Sequence, residues 1–283
     1  MQTVPSSGGL DVVVHDLAGS PADPPLLIAH ATGFHGRCYT PIASALADRF
    51  RVHALDFRGH GASPADPATD VDWRRFGDDA VAAAAHIAPD GGLIGFGHSM
   101  GGAALLMAAH REPDRFDRLV LFEPISHQAT ADSPTADEMR EYPIVQGALR
   151  RTRTFPSYDA AYENYAAKPP LSLMVREALR NYVDHGFRAT TDDDGEPAVE
   201  LCCDPTFEAG IFVTGRDNGV WALLPEIRTP CIVIGGHVEE RQPSAQTESI
   251  ADRLPNGRYV LLDDQTHFGP FSHPAETAAL IGG

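Results

Sequence analysis

Residues 92–111, GLIGFGHSMGGAALLMAAHR, restrict the possible folds more than any other stretch of the chain. An apolar run of strand length leads straight into a turn and then into an Ala- and Leu-rich segment with high helix propensity. The turn is Gly97-His98-Ser99-Met100-Gly101, a G-x-S-x-G pattern in the strand–turn–helix setting that gives the pattern meaning. A serine at the tip of so tight a turn is not shielded by its own backbone, and the neighbouring glycines remove Cβ atoms that would clash. Its Oγ is expected above the carboxyl end of the strand, beside a helix N-terminus whose dipole favours developing negative charge.

The flanking sequence repeats this rhythm. Strand-like runs at 10–17, 25–31, 51–57, 92–97, 119–122, 231–234 and 259–262 alternate with helix-like segments at 41–48, 76–87, 100–110, 244–254 and 274–280. Such alternation predicts an α/β protein with a mostly parallel central sheet and helices on both faces. Between residues 125 and 225 the long apolar strands vanish and charges and tyrosines collect. The expected organisation is therefore a core of residues 1–124 and 226–283 with an inserted helical cap over 125–225. Within the cap, TTDDDGEP at 190–197 reads as a solvated loop or a hairpin tip. A chain of 283 residues can bury about 75% of its unfolded surface, enough for one large core with an insertion.

Charge narrows the function classes. Lys plus Arg is 22 against 39 Asp plus Glu, a formal charge of −17, which repels a phosphate backbone; neither nucleic acid nor an anionic membrane is an expected partner. Lys168 is the single lysine, so Schiff-base and P-loop chemistry have almost no candidates. The four cysteines, Cys38, Cys202, Cys203 and Cys231, lack zinc spacing and the density of a secreted disulfide scaffold, and read as reduced structural thiols. Neither a leader-like N-terminus nor a run of about 18 apolar residues is present, which predicts a cytoplasmic protein.

Three further motifs accompany the serine turn. His30-Ala31-Thr32-Gly33-Phe34 follows an early strand, Asp56-Phe57-Arg58-Gly59-His60-Gly61-Ala62-Ser63 follows the next, and Thr266-His267-Phe268 follows the last. With these the chain resembles the α/β-hydrolase superfamily everywhere outside the cap. The His30 motif is similar to the family's His-Gly oxyanion loop, with alanine where glycine is usual. The Asp56 motif is similar to its D-x-R-G-x-G-x-S turn, and the His267 motif sits where the family carries its catalytic histidine. The resemblance implies Ser99 as nucleophile and the order serine, acid, histidine. Relatives that hydrolyse epoxides or haloalkanes use an aspartate nucleophile, which Ser99 argues against.

Acyl transfer needs a base near pKa 7 to take the serine proton and donors aimed at the oxyanion. Among thirteen histidines, His267 follows the last strand by a short loop and comes after both acid candidates, as the order requires. His98, His30 and His60 read as structural. The donors are expected to be the backbone N–H of Met100 and of Thr32, with Gly33 and Phe34 as alternatives. Two residues compete for the acid. Glu239 lies three residues beyond Gly236, the usual family position, in the polar stretch HVEERQP. Glu123 ends the apolar run LVLF, where a carboxylate is costly unless paired, and it is the preferred candidate.

The expected chemistry is hydrolysis of a small carboxylic ester, lactone or thioester through an acyl-enzyme, without metal or organic cofactor. Carbon–carbon bond hydrolysis and perhydrolysis use the same residues, and a ligand receptor that barely turns over is the reading from another class. Specificity is expected in the cap, where Arg150, Arg151 and Arg153 precede Phe155, Tyr158, Tyr162 and Tyr165. With Phe34, these aromatics are the candidate walls for an acidic or aromatic acyl group; a solvated amphipathic helix is the plainer reading of the same stretch.

Overall fold

The structure is a computed structural model that describes residues 1–66, 68–128, 130, 133–192, 194–240 and 242–283. The first half of the chain forms β1 (Gln2–Pro5), β2 (Asp11–Ala18), β3 (Pro25–Ala29), α1 (Thr40–Ala45), β4 (Arg51–Asp56), α2 (Trp73–Ile87), β5 (Leu93–His98), α3 (Met100–Arg111) and β6 (Phe116–Phe122). A middle segment follows with α4 (Ala136–Arg140), α5 (Pro143–Leu149), β7 (Thr154–Phe155), α6 (Tyr158–Ala166), α7 (Arg176–Gly186), β8 (Phe187–Thr191), β9 (Pro197–Leu201), α8 (Pro205–Thr214) and α9 (Val220–Leu223). The chain then completes β10 (Cys231–Gly235), α10 (Thr247–Arg253), β11 (Gly257–Leu261), α11 (Gly269–Ser272) and α12 (Pro274–Gly282).

Eight strands form one sheet in the order β1-β2-β4-β3-β5-β6-β10-β11. The pairs β1/β2 and β2/β4 are antiparallel and every other pair is parallel. All six residues of β5 are buried, as a parallel strand covered on both faces requires. One apolar layer packs α2, α3 and α10 against the sheet through Phe76, Leu105 and Ile250; the other packs α1 and α12 through Ile42 and Ile281. After β3 the chain steps outward to β4, and after β5 it steps the opposite way to β6. This reversal opens a crevice beyond the carboxyl ends of β3 and β5, where ligands of open α/β sheets bind.

Two elements depart from the sequence reading. β1 went unread because QTVP buries only Val4 and offers no alternation to detect. The middle segment holds, besides its helices, an antiparallel sheet in the order β7-β9-β8. Its strands are two to five residues long, too short to show a period. The turn between β8 and β9 is closed by the Asp192 carboxylate, which accepts the N–H groups of Asp194 (3.0 Å) and Glu196 (2.9 Å), so this polar loop is a hairpin tip; Asp193 lies outside the described residues. Among the described residues no helix is long and apolar enough to cross a membrane.

Candidate active site

Ser99 occupies the junction of β5 and α3 at φ 56° and ψ −115°. Close approach explains the flanking glycines: a Cβ on Gly97 would meet the Gly102 Cα at 2.6 Å, and one on Gly101 would meet the Ala29 carbonyl oxygen at 2.1 Å. The Ser99 N–H donates to the Phe122 carbonyl (2.9 Å), and its own carbonyl accepts from Ile125 N–H (3.1 Å). The turn is thereby fixed to the end of β6, one residue from Glu123.

Glu123 is 1% exposed and has φ 43°. Ser99 and Glu123 are the two non-glycine residues with positive φ among those described, a conformation costing on the order of 1 to 3 kcal/mol that persists where surrounding structure enforces it. The enforcement is visible at Glu123, whose N–H donates to the Ile234 carbonyl of β10 (2.9 Å). Both carboxylate oxygens are satisfied: Oε1 accepts from Gly236 N–H (2.8 Å) and Oε2 from His267 Nδ1 (2.6 Å). Because a carboxylate only accepts, this bond puts the imidazole proton on Nδ1 and leaves the Nε2 lone pair available.

His267 lies in the loop after β11, its side chain 28% exposed. Its backbone is held by a polar chain that starts in the loop after β3. Ala31 N–H donates to Tyr39 OH (3.1 Å), Tyr39 OH donates to His98 Nδ1 (2.9 Å), and His98 Nε2–H donates to the His267 carbonyl (2.9 Å). Burial pushes the His98 pKa well down, which keeps it in the neutral form that this donor–acceptor alternation needs.

In the β3 loop, Phe34 N–H closes a turn on the Ala31 carbonyl (3.1 Å) and Gly33 N–H donates to His60 Nε2 (3.1 Å). Of the three candidate loop amides, Thr32 N–H alone makes no hydrogen bond among the described residues. Met100 opens α3, so its N–H is one of the helix's unpaired first-turn amides. Ser99, His267, Thr32 and Phe34 line one cavity of about 480 Å³, a volume suited to a small ligand.

A family profile described as the alpha/beta hydrolase family matches residues 26–280. The chain belongs to that family. Two curated relatives, both named pimeloyl-[acyl-carrier protein] methyl ester esterase, come from Chromobacterium violaceum and Aromatoleum aromaticum. The first is 34% identical over 88% of this chain and 89% of its own; the second is 28% identical over 91% and 96%. A thermophilic esterase from Thermogutta terrifontis has the same fold, with a TM-score of 0.71 at 18% identity over 99% of this chain and 96% of its own.

Within this α/β hydrolase the residues singled out from sequence separate cleanly. Glu123 bonds to His267, whereas Glu239 is exposed and gives its N–H to Ser244 Oγ (3.2 Å). Phe155, Tyr158 and Tyr162 are absent from the cavity wall. Phe155 packs against Tyr165 and Phe187 in the apolar layer shared with the sheet, and Tyr162 lies under the Arg180 guanidinium. Tyr158, Tyr162 and Tyr165 share one helical stripe at i, i+4 and i+7, and its last member is the one that reaches the cavity. The other wall residues that sequence reasoning missed include Tyr182, Glu208 and Phe268. Only Phe268 left a signal, following His267 directly. Among the described residues no group of three or more His, Cys, Asp or Glu could hold a metal ion.

The buried histidines carry a stability cost in acid. His30 Nε2 accepts Phe57 N–H (3.0 Å), as His60 Nε2 accepts Gly33 N–H, so protonating either ring would set a donor against a donor. Burial pushes His30 well down, and pushes His35 and His60 to about 4. In the unfolded chain the same rings take up a proton near pH 6.5. Stability is therefore complete above about pH 6.5 and falls as pH drops to about 4, by roughly 3 kcal/mol each for His35 and His60. Urea midpoints measured from pH 7 to pH 4.5 are expected to drop steeply; a flat profile would contradict the neutral, buried assignment.

Proposed function

We propose that this chain hydrolyses a small carboxylic ester through an acyl-enzyme, with Ser99 as nucleophile, His267 as general base and Glu123 as the carboxylate that orients it. The observation that carries the reading is the 2.6 Å bond between a fully buried Glu123 and His267 on the cavity that Ser99 also lines. His267 Nε2 takes the Ser99 proton as Oγ attacks the ester carbonyl, and Glu123 stabilises the imidazolium that forms. The Met100 and Thr32 N–H groups receive the tetrahedral oxyanion. His267 then returns the proton to the departing alkoxide. Water repeats the sequence on the acyl-enzyme, releasing the acid and restoring Ser99.

Two curated relatives are named for a methyl ester, which favours a small alcohol as leaving group here. Residues 125–225 act in this reading as a lid, since they supply Tyr165, Tyr182 and Phe212 to the cavity while the core supplies the reacting groups. The test combines a fluorophosphonate probe, located by peptide mass spectrometry, with methyl and p-nitrophenyl esters of graded acyl length. Labelling of Ser99 and sustained turnover near the enzyme median of about 10 per second are expected. A single slow turnover would favour a ligand receptor, and labelling elsewhere would remove Ser99 from the mechanism.

A further inference from the structure

The cavity wall reverses the sign of the protein's charge. The chain carries −17 overall, yet the ionised side chains on this wall are Arg150, Arg151 and Lys168 against one carboxylate, Glu208. Glu208 is accounted for by Arg151, which donates to its Oε2 (2.6 Å) and also to the hydroxyls of Tyr182 and Tyr165. Arg150 and Lys168 make no ion pair with any described residue. Arg153, their neighbour in sequence, points elsewhere and is neutralised by Asp204 at 2.6 Å. The wall thus holds two uncompensated positive charges, while Phe34, Phe212, Phe268 and Leu171 make the rest of it apolar.

We infer that the acyl group carries an anion at its far end, so that the substrate is a half-ester of an aliphatic dicarboxylic acid. This rests on the ester-hydrolase reading above and names the substrate class for it. The field of a strongly negative protein opposes entry of an anion, and two cations on the cavity wall offset that field where the ligand binds. The apolar side chains that share this wall with the cations and Ser99 suit a methylene spacer. The arginine–glutamate pair lies against the oxyanion loop, Glu208 Oε1 being 2.3 Å from where a Gly33 Cβ would stand. Arg150 and Lys168, exposed on the same wall and without an ion pair among the described residues, are free to meet a carboxylate.

The test compares monomethyl adipate with the methyl ester in which its carboxylate is replaced by a carboxamide, equal in shape and neutral. For the wild-type protein at low salt, kcat/KM for the carboxylate is expected to exceed that for the amide by about tenfold, and the ratio should shrink as salt is raised past ~0.1 M. Arg150→Gln and Lys168→Gln should each lower the ratio by about threefold, in the range of exposed charge pairs, and the double variant should bring it near one. A structural effect would move both substrates together and leave the ratio alone. A wild-type ratio at or below one, or an unchanged ratio in the double variant, would overturn the inference. Calorimetry of both compounds on Ser99→Ala separates the two readings. Preferential binding of the carboxylate without turnover by the wild type would sink only the ester chemistry, and equal binding would sink the anion site.

Discussion

Ser99→Ala is expected to lower kcat by about 10⁴ to 10⁶ on any ester the wild type cleaves, with the fold intact. The size follows from the proposed role: without Oγ there would be no nucleophile for His267 to activate, and what remains would be binding and the amides of Met100 and Thr32. Stability should change by less than about 1 kcal/mol, because the Ser99 side chain caps nothing at the start of α3 and alanine meets the same positive φ that serine already tolerates. Burst kinetics on an activated ester and a thermal melt of the same preparation check both halves. A variant that keeps more than a tenth of wild-type turnover would sink the acyl-enzyme mechanism, and an unfolded one would show that Ser99 Oγ holds the junction of β5 and α3 together.

How much of this site could be read in the sequence depended on how local its determinants are. The strand, turn and helix around Ser99 are contiguous, so the motif and its flanks were legible together. The place of His267 on the same cavity was legible by order, since it follows the last strand. The carboxylate that meets His267 was not legible by the same means, because Glu123 and Glu239 both follow parallel strands of the same sheet. What distinguishes them is a long-range pairing: β10 lies beside β6, so Glu123 N–H reaches Ile234 and its Oε1 reaches Gly236, while Glu239 continues into solvent. The wall supplied by the middle segment was the least legible. Tyr158, Tyr162 and Tyr165 carry identical local signals, and only the packing of α6 on α7 decides which one meets the cavity. The antiparallel β7-β9-β8 sheet escaped for a related reason, its strands being stabilised by each other and by the core beneath rather than by any periodicity of their own.

Glu123→Gln is expected to lower kcat by roughly 10³ or more, while Glu239→Gln stays within about twofold of wild type. The glutamine keeps nearly the shape of the glutamate, and its carbonyl oxygen can still accept the Gly236 N–H. Its amide nitrogen then faces His267 Nδ1 and donates, which forces that ring nitrogen to accept and moves the imidazole proton to Nε2. In that tautomer His267 presents a proton, not a lone pair, to the cavity and cannot take one from Ser99. The neutral amide also fails to stabilise the imidazolium formed during attack, so the loss belongs in kcat more than in KM. Raising the pH does not restore the correct tautomer, and the deficit should persist across the wild-type plateau. Glu239 has neither burial nor an imidazole partner, and its substitution alters one solvated charge. If Glu123→Gln keeps more than a tenth of wild-type activity while folded, the buried pair is structural, and the carboxylate that orients His267 must be sought elsewhere on the rim.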